Sequence, residues 1–154
     1  LALAAHPEST IVRTSWLFSE YGSNFVKTML RLAKERDSLS VVHDQTGCPT
    51  YAGDLAHAII ELLQQPTSPR GIFHYCGNKS ATWYEFTKAI FQTAQQLDDS
   101  FRIPELNAIT TDQYPLPAPR PAYSIMDCSR LETEFGIKPS DWQKALREIL
   151  RKID

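Results

Sequence analysis

Arg13-Thr14-Ser15-Trp16 closes an apolar, β-branched stretch, and Gly22-Ser23-Asn24 then opens a run of helical spacing, Phe25-Val26-Lys27. The first part predicts a buried strand over Thr10–Phe18, and the second a helix over 24–36 with Phe25, Met29, Leu32 and Ala33 on one side. An α/β unit follows from that order. Ligands of open α/β sheets gather beyond the carboxyl ends of the strands. The hydroxyls of Thr14 and Ser15 and the ring of Trp16 therefore stand where a flat, polar ligand would rest. A tryptophan at a strand end more often packs in a core than faces a ligand. Here a hydroxyl pair before it and a glycine-asparagine turn after it argue for the ligand.

Two further residues have a plain and a functional reading. Asn24 is explained by helix capping alone, yet helix N-termini also attract phosphate. Arg120 lies in Tyr114-Pro115-Leu116-Pro117-Ala118-Pro119-Arg120-Pro121, a short, stiff, extended connection. Its plain reading is a solvated loop charge. A guanidinium fork on a stiffened loop is also what bidentate phosphate capture requires.

The remaining elements are read from periodicity and breakers. Leu39–Val42 is a short strand entering the turn-rich Asp44-Gln45-Thr46-Gly47-Cys48-Pro49-Thr50. A second helix follows, with Leu55, Ile59 and Leu62 inward and a stop at Pro66, and Gly71–Cys76 is a third strand. Capping boxes are predicted at Thr82 with Glu85, Ser129 with Glu132 and Ser140 with Gln143. The first leads a helix with Phe86, Ile90, Ala94 and Leu97 on one side. The second ends at Gly136, a left-handed C-cap. The third carries Trp142, Leu146, Ile149 and Ile153. The opening Leu1-Ala2-Leu3-Ala4-Ala5 has no capping residue and reads as the last turns of a helix, so the chain is expected to be a piece of a longer protein.

With 154 residues, 42% of them hydrophobic and 22% charged, residues 1–154 are expected to form a single unit. A formal net charge of −2 gives no basic surface for nucleic acid. No apolar run approaches the roughly 18 residues of a membrane span. The three cysteines, Cys48, Cys76 and Cys128, are too few and too scattered for a disulfide framework, and a reducing cytoplasm is expected.

Several chemistries lack their signature. The six glycines form neither G-x-G-x-x-G nor a P-loop, so the phosphate-cradling turn of a dinucleotide site is not in this stretch. Two Tyr-x-x-x-Lys matches occur. Tyr75 with Lys79 begins in a strand, and Tyr84 with Lys88 faces away from its helix's apolar stripe, so neither is read as a catalytic pair. His74 and Cys76 share a strand face, but four zinc ligands at a recognisable spacing are lacking. No nucleophile elbow surrounds any serine.

The strings Arg13-Thr14-Ser15-Trp16-Leu17-Phe18 and Gly22-Ser23-Asn24-Phe25-Val26-Lys27-Thr28-Met29-Leu30 resemble dTDP-4-dehydrorhamnose reductase. So do Leu39–Thr50, Arg120-Pro121-Ala122-Tyr123-Ser124 and Leu131-Glu132. The resemblance implies the C-terminal portion of an NAD(P)-binding, Rossmann-like extended short-chain dehydrogenase, carrying the substrate-binding lobe. It implies NADPH- or NADH-dependent reduction of the 4-keto group of dTDP-4-dehydro-6-deoxy-L-mannose to dTDP-L-rhamnose. The family's glycine-rich turn, catalytic Thr and Tyr-x-x-x-Lys pair would precede this segment, and no catalytic residue is assigned within it. Carried over by position, Trp16 packs against the sugar, Asn24 and Arg120 hold the nucleotide or its diphosphate, and Arg13, Thr14 and Ser15 lie near the nicotinamide end. A dTDP-sugar is the implied partner, and a homodimer and a magnesium requirement stay open. The same fold also serves as a non-catalytic regulatory subunit of methionine adenosyltransferase and in sister nucleotide-sugar reductases and epimerases. Trp16 and the Asp44–Thr50 loop favour the reductase.

Overall fold

A computed structural model describes residues 1–67 and 69–153 of the chain. The helices are α1 (Ala2–Ala5), α2 (Phe25–Glu35), α3 (Ala52–Leu63), α4 (Trp83–Leu97), α5 (Ser129–Phe135) and α6 (Trp142–Leu150). The strands are β1 (Thr10–Arg13), β2 (Leu17–Phe18), β3 (Ser38–Val42), β4 (Thr46–Gly47), β5 (Thr50–Tyr51), β6 (Gly71–His74), β7 (Ala81–Thr82) and β8 (Glu105–Ile109). They pair as four two-stranded sheets: β1 with β6, β2 with β5 and β3 with β8 in parallel, and β4 with β7 antiparallel. Parallel neighbours need a crossover, and α3 supplies the helix between β1 and β6.

Two large apolar cores and a small cysteine cluster organise the described residues. The larger gathers Phe18, Val26, Met29, Leu39, Phe86, Ile90, Phe91, Trp142, Leu146 and Ile149, so α2, α4 and α6 share one interior. The smaller packs Ala58 and Leu62 of α3 against Phe73, Leu131 and Ile137. The larger is built mainly from the stripes that helical spacing predicts for α2, α4 and α6. α4 carries the expected capping box: the Thr82 hydroxyl accepts from the Glu85 N–H at 3.1 Å, and the Glu85 carboxylate accepts from the Thr82 N–H at 2.7 Å. Such a cap contributes about 1 kcal/mol. Gly136 ends α5 at φ +71°, a conformation glycine adopts without steric cost.

The structure departs from the sequence expectations in several places, and Leu97, expected inward on α4, is 38% exposed. The expected strand over Thr10–Phe18 is two, because Trp16 breaks it with a left-handed φ of +49°. In α3 the inward residues are Ala58 and Leu62, whereas Ile59 is 40% exposed, one step round the helix. The cap of α5 is Cys128, with no side-chain hydrogen bond, so Ser129 is the first helical residue. The cap of α6 is Asp141, which accepts from the Lys144 N–H, because Ser140 is held elsewhere: its hydroxyl donates to Asp54 at 2.6 Å. Strand β8 was not anticipated. Its residues are largely exposed and alternate weakly, so pairing with β3, not burial, defines it.

Candidate functional site

The site is built around the break between β1 and β2. The Arg13 carbonyl accepts from the Tyr75 N–H at 2.9 Å, which carries the β1–β6 ladder one residue further. Beyond it the chain turns away from the sheet. The Ser15 hydroxyl donates to the Cys48 carbonyl at 3.1 Å, and the Trp16 carbonyl accepts from the Thr50 N–H at 3.1 Å. These two bonds tie the turn to the Asp44–Thr50 loop.

The Trp16 ring is half-buried and stacks on Trp83, with centroids 3.5 Å apart and planes 9° from parallel. Trp83 is the first residue of α4. Its indole N–H donates to the Gln45 side-chain oxygen at 3.2 Å, and Phe25 of α2 leans on it at 4.5 Å. Gln45 in turn donates to the Thr111 hydroxyl at 3.1 Å, which donates to Asp44 at 2.7 Å. These bonds from Thr111 hold the Asp44 carboxyl below the usual carboxylate range. Gly47 lies against the indole: a Cβ there would stand 2.7 Å from Trp16 Nε1 and 2.7 Å from Ser124 Oγ. Only a residue without a side chain leaves room for the ring.

The proline-rich connection returns to this point. The Thr46 N–H donates to the Ala122 carbonyl and the Ser124 N–H to the Thr46 carbonyl, both at 2.8 Å. Arg120 is exposed two residues before that clasp. On the other flank, Asn24 caps α2 by accepting from the Lys27 N–H at 3.2 Å, and its amide donates to the Ser19 carbonyl at 2.8 Å. The side chain is thus spent on the cap and the loop. Beside it, Glu20 accepts from Tyr51 at 3.1 Å and from Lys152 at 3.2 Å. Backbone N–H bonding and these two partners hold Glu20 below its ordinary range, and desolvation together with that carboxylate pushes Tyr51 up.

Of the six residues predicted from sequence, Thr14, Ser15 and Trp16 form the turn itself. Asn24 reaches the stack through its neighbour Phe25, Arg120 approaches through the Ala122–Ser124 clasp, and Arg13 is exposed on the sheet. Thr14 has a buried hydroxyl oxygen with no hydrogen-bond partner among the described residues. Trp83, Gln45 and Gly47 were missed as site residues. For Trp83 the signal was its place directly after the Thr82 cap, where a first helical residue points back toward the loops. The two described cavities, about 430 and 420 Å³, lie elsewhere: one by Lys34, Arg36 and Phe101, the other by Asp54, His57 and Tyr75. Among the described residues no group of three His, Cys, Asp or Glu side chains is arranged to hold a metal ion.

Residues 1–154 match the model of the RmlD substrate binding domain. The chain belongs to that family. It is 50% identical over 153 residues to a dTDP-4-dehydrorhamnose reductase of Aggregatibacter actinomycetemcomitans, covering 97% of this chain and 52% of that protein. The crystal structure of a dTDP-4-dehydrorhamnose reductase of Bacillus anthracis in complex with NADP superposes with a TM-score of 0.81 at 40% identity, covering 93% of this chain and 48% of that one. The Clostridium acetobutylicum counterpart gives 0.85 at 36% identity, covering 97% and 50%. This RmlD-family chain therefore spans about half the length of the curated relatives it matches. Its α/β architecture is that of extended short-chain dehydrogenases, as the resemblance implied.

Proposed function

We propose that the chain is the substrate-side part of a dTDP-4-dehydrorhamnose reductase, in dTDP-rhamnose biosynthesis. The observation that carries the reading is the stacked Trp16 turn, with Gly47 beneath it, in a chain matching reductases along its whole length. An indole braced on one side by Trp83 is a rigid surface, and rigidity is what orienting a sugar demands.

In this reading Trp16 meets the hexose, Arg120 pairs with the diphosphate, and the first turn of α2 behind Asn24 favours that negative charge. Thr14 and Ser15 lie toward the nicotinamide end. The Ser15 hydroxyl is engaged with Cys48, and the buried Thr14 hydroxyl has no partner among the described residues. Bound NADPH or NADH supplies the hydride, and the relative crystallised with NADP supports that choice of cofactor class. This chain's own residues bind and orient, while the catalytic Thr and the Tyr-x-x-x-Lys pair belong to a preceding segment.

The division of labour has a direct test. Purified residues 1–154, given NADPH and dTDP-4-dehydro-6-deoxy-L-mannose, should leave nicotinamide absorbance unchanged, whereas the same chain joined to a dinucleotide-binding half should consume it. Turnover by the 154 residues alone would place the chemistry here and overturn the assignment.

A further inference from the structure

Cys48, Cys76 and Cys128 are the only cysteines of the chain, and they come from three distant segments. All three are free, buried and packed in one cluster with Ile125 and Met126. Cys76 Sγ lies 3.5 Å from Cys128 Sγ, and the Cys76 backbone N–H donates to Cys128 Sγ at 3.2 Å. Structural cysteines are commonly buried one at a time, as small hydrophobes. Here three are gathered where the end of β6, the cap of α5 and the Asp44–Thr50 loop meet, directly behind the turn that holds Trp16.

We propose that Cys76 and Cys128 are a modification site that closes to an intramolecular disulfide under a peroxide oxidant, with Cys48 left as the free thiol. A disulfide sulfur pair sits at about 2.05 Å, so the two must close by about 1.5 Å. The step balances. One sulfur of the pair, as thiolate, attacks a peroxide oxygen, the O–O bond breaks and hydroxide leaves, giving a sulfenic acid. The second sulfur attacks the first, the S–O bond breaks, and water departs as the S–S bond forms. Two thiols are oxidised and one hydrogen peroxide is reduced to two waters.

The environment separates the three thiols. A hydrogen bond from Cys76 draws the Cys48 thiol down. The Cys128 hydrogen bond lowers Cys76, but the Cys48 contact and burial outweigh it, and the thiol is pushed up to about 11. Hydrogen bonding with Cys76 and burial push Cys128 up further. Thiolate character is thus low in this pair, so its oxidation is slow at neutral pH, and it is the 3.5 Å approach of the two sulfurs, not acidity, that selects Cys76 and Cys128. The link would join β6 to α5, and through the Cys48 carbonyl that receives Ser15 it sits one contact from the candidate site.

The 154-residue protein, treated natively with excess hydrogen peroxide, quenched with catalase and alkylated in denaturant, tests this directly. The intact mass should show one alkyl group and the loss of two hydrogens. Trypsin places the three cysteines on different peptides, cutting after Arg70, Lys79 and Arg102 among others. The map should link the Cys76 and Cys128 peptides, with the Cys48 peptide alkylated. Cys48→Ser should keep the link, and Cys128→Ser should lose it. Three alkylated thiols, a link involving Cys48, or oxidation to sulfinic acid without a link would each overturn the proposal. The wild-type map needs no variant to fold.

Discussion

Replacing Trp16 by Ala in the complete reductase should lower kcat/KM for the keto-sugar by about 10- to 100-fold, since misplacing a bound substrate by about 1 Å can cost that much. The indole is held by Trp83 at 3.5 Å and by Gly47 beneath it, and the Thr50 N–H fixes the backbone carbonyl of Trp16. Removing it deletes an aromatic surface and leaves the space beside Trp83 unfilled. Trp16→Phe keeps an aromatic face and should retain most of the activity. Thermal melting run beside the kinetics separates a folding defect from a binding defect. A kcat/KM unchanged in Trp16→Ala would remove the residue from the site.

Gly77→Ala should be the most destabilising of the chain's glycine-to-alanine changes. Gly77 is the crossing point of three segments: the Ser140 N–H donates to the Cys76 carbonyl at 3.1 Å, the Asn78 N–H to the Ser140 carbonyl at 2.8 Å, and the Trp142 indole to the Lys79 carbonyl at 2.9 Å. A Cβ there would collide with the Pro49 carbonyl oxygen and stand 2.8 Å from Trp142 Cδ1. The first of these is backbone and cannot swing away. The expected cost is about 3 kcal/mol, at the upper end of ordinary overpacking. For a domain of this size that lowers Tm by on the order of 10 °C. Gly22→Ala is the control, because nothing lies within 4 Å of its added Cβ and only the left-handed backbone, about 1 kcal/mol, is at stake. Equal melting of Gly77→Ala and wild type would show that the crossing yields more than its contacts suggest.

Much of this was legible in the residues. Helical stripes and the Thr82–Glu85 box are local signals, and they gave α2, α4 and the larger core. The family strings singled out the Trp16 turn. What could not be read was set by contacts remote in sequence. Ser140 looks like a cap until Asp54, 86 residues away, takes its hydroxyl. The Gly47–Trp16 and Trp83–Trp16 contacts join segments with no pattern between them, so neither glycine nor tryptophan declares its role along the chain. Strand β8 is named by its partner alone. Asn24 shows the converse: its cap was foreseen, and the same geometry leaves little of its amide for a ligand.

The left-handed backbone at Trp16 has an evolutionary consequence. A side-chain-bearing residue at φ +49° stores about 1–2 kcal/mol that glycine would not. On the proposed function, heat tolerance and catalytic fitness pull on this codon in opposite directions. A saturation library at position 16 selected for survival at high temperature should drift toward glycine or asparagine, while one selected for sugar-nucleotide turnover should return tryptophan.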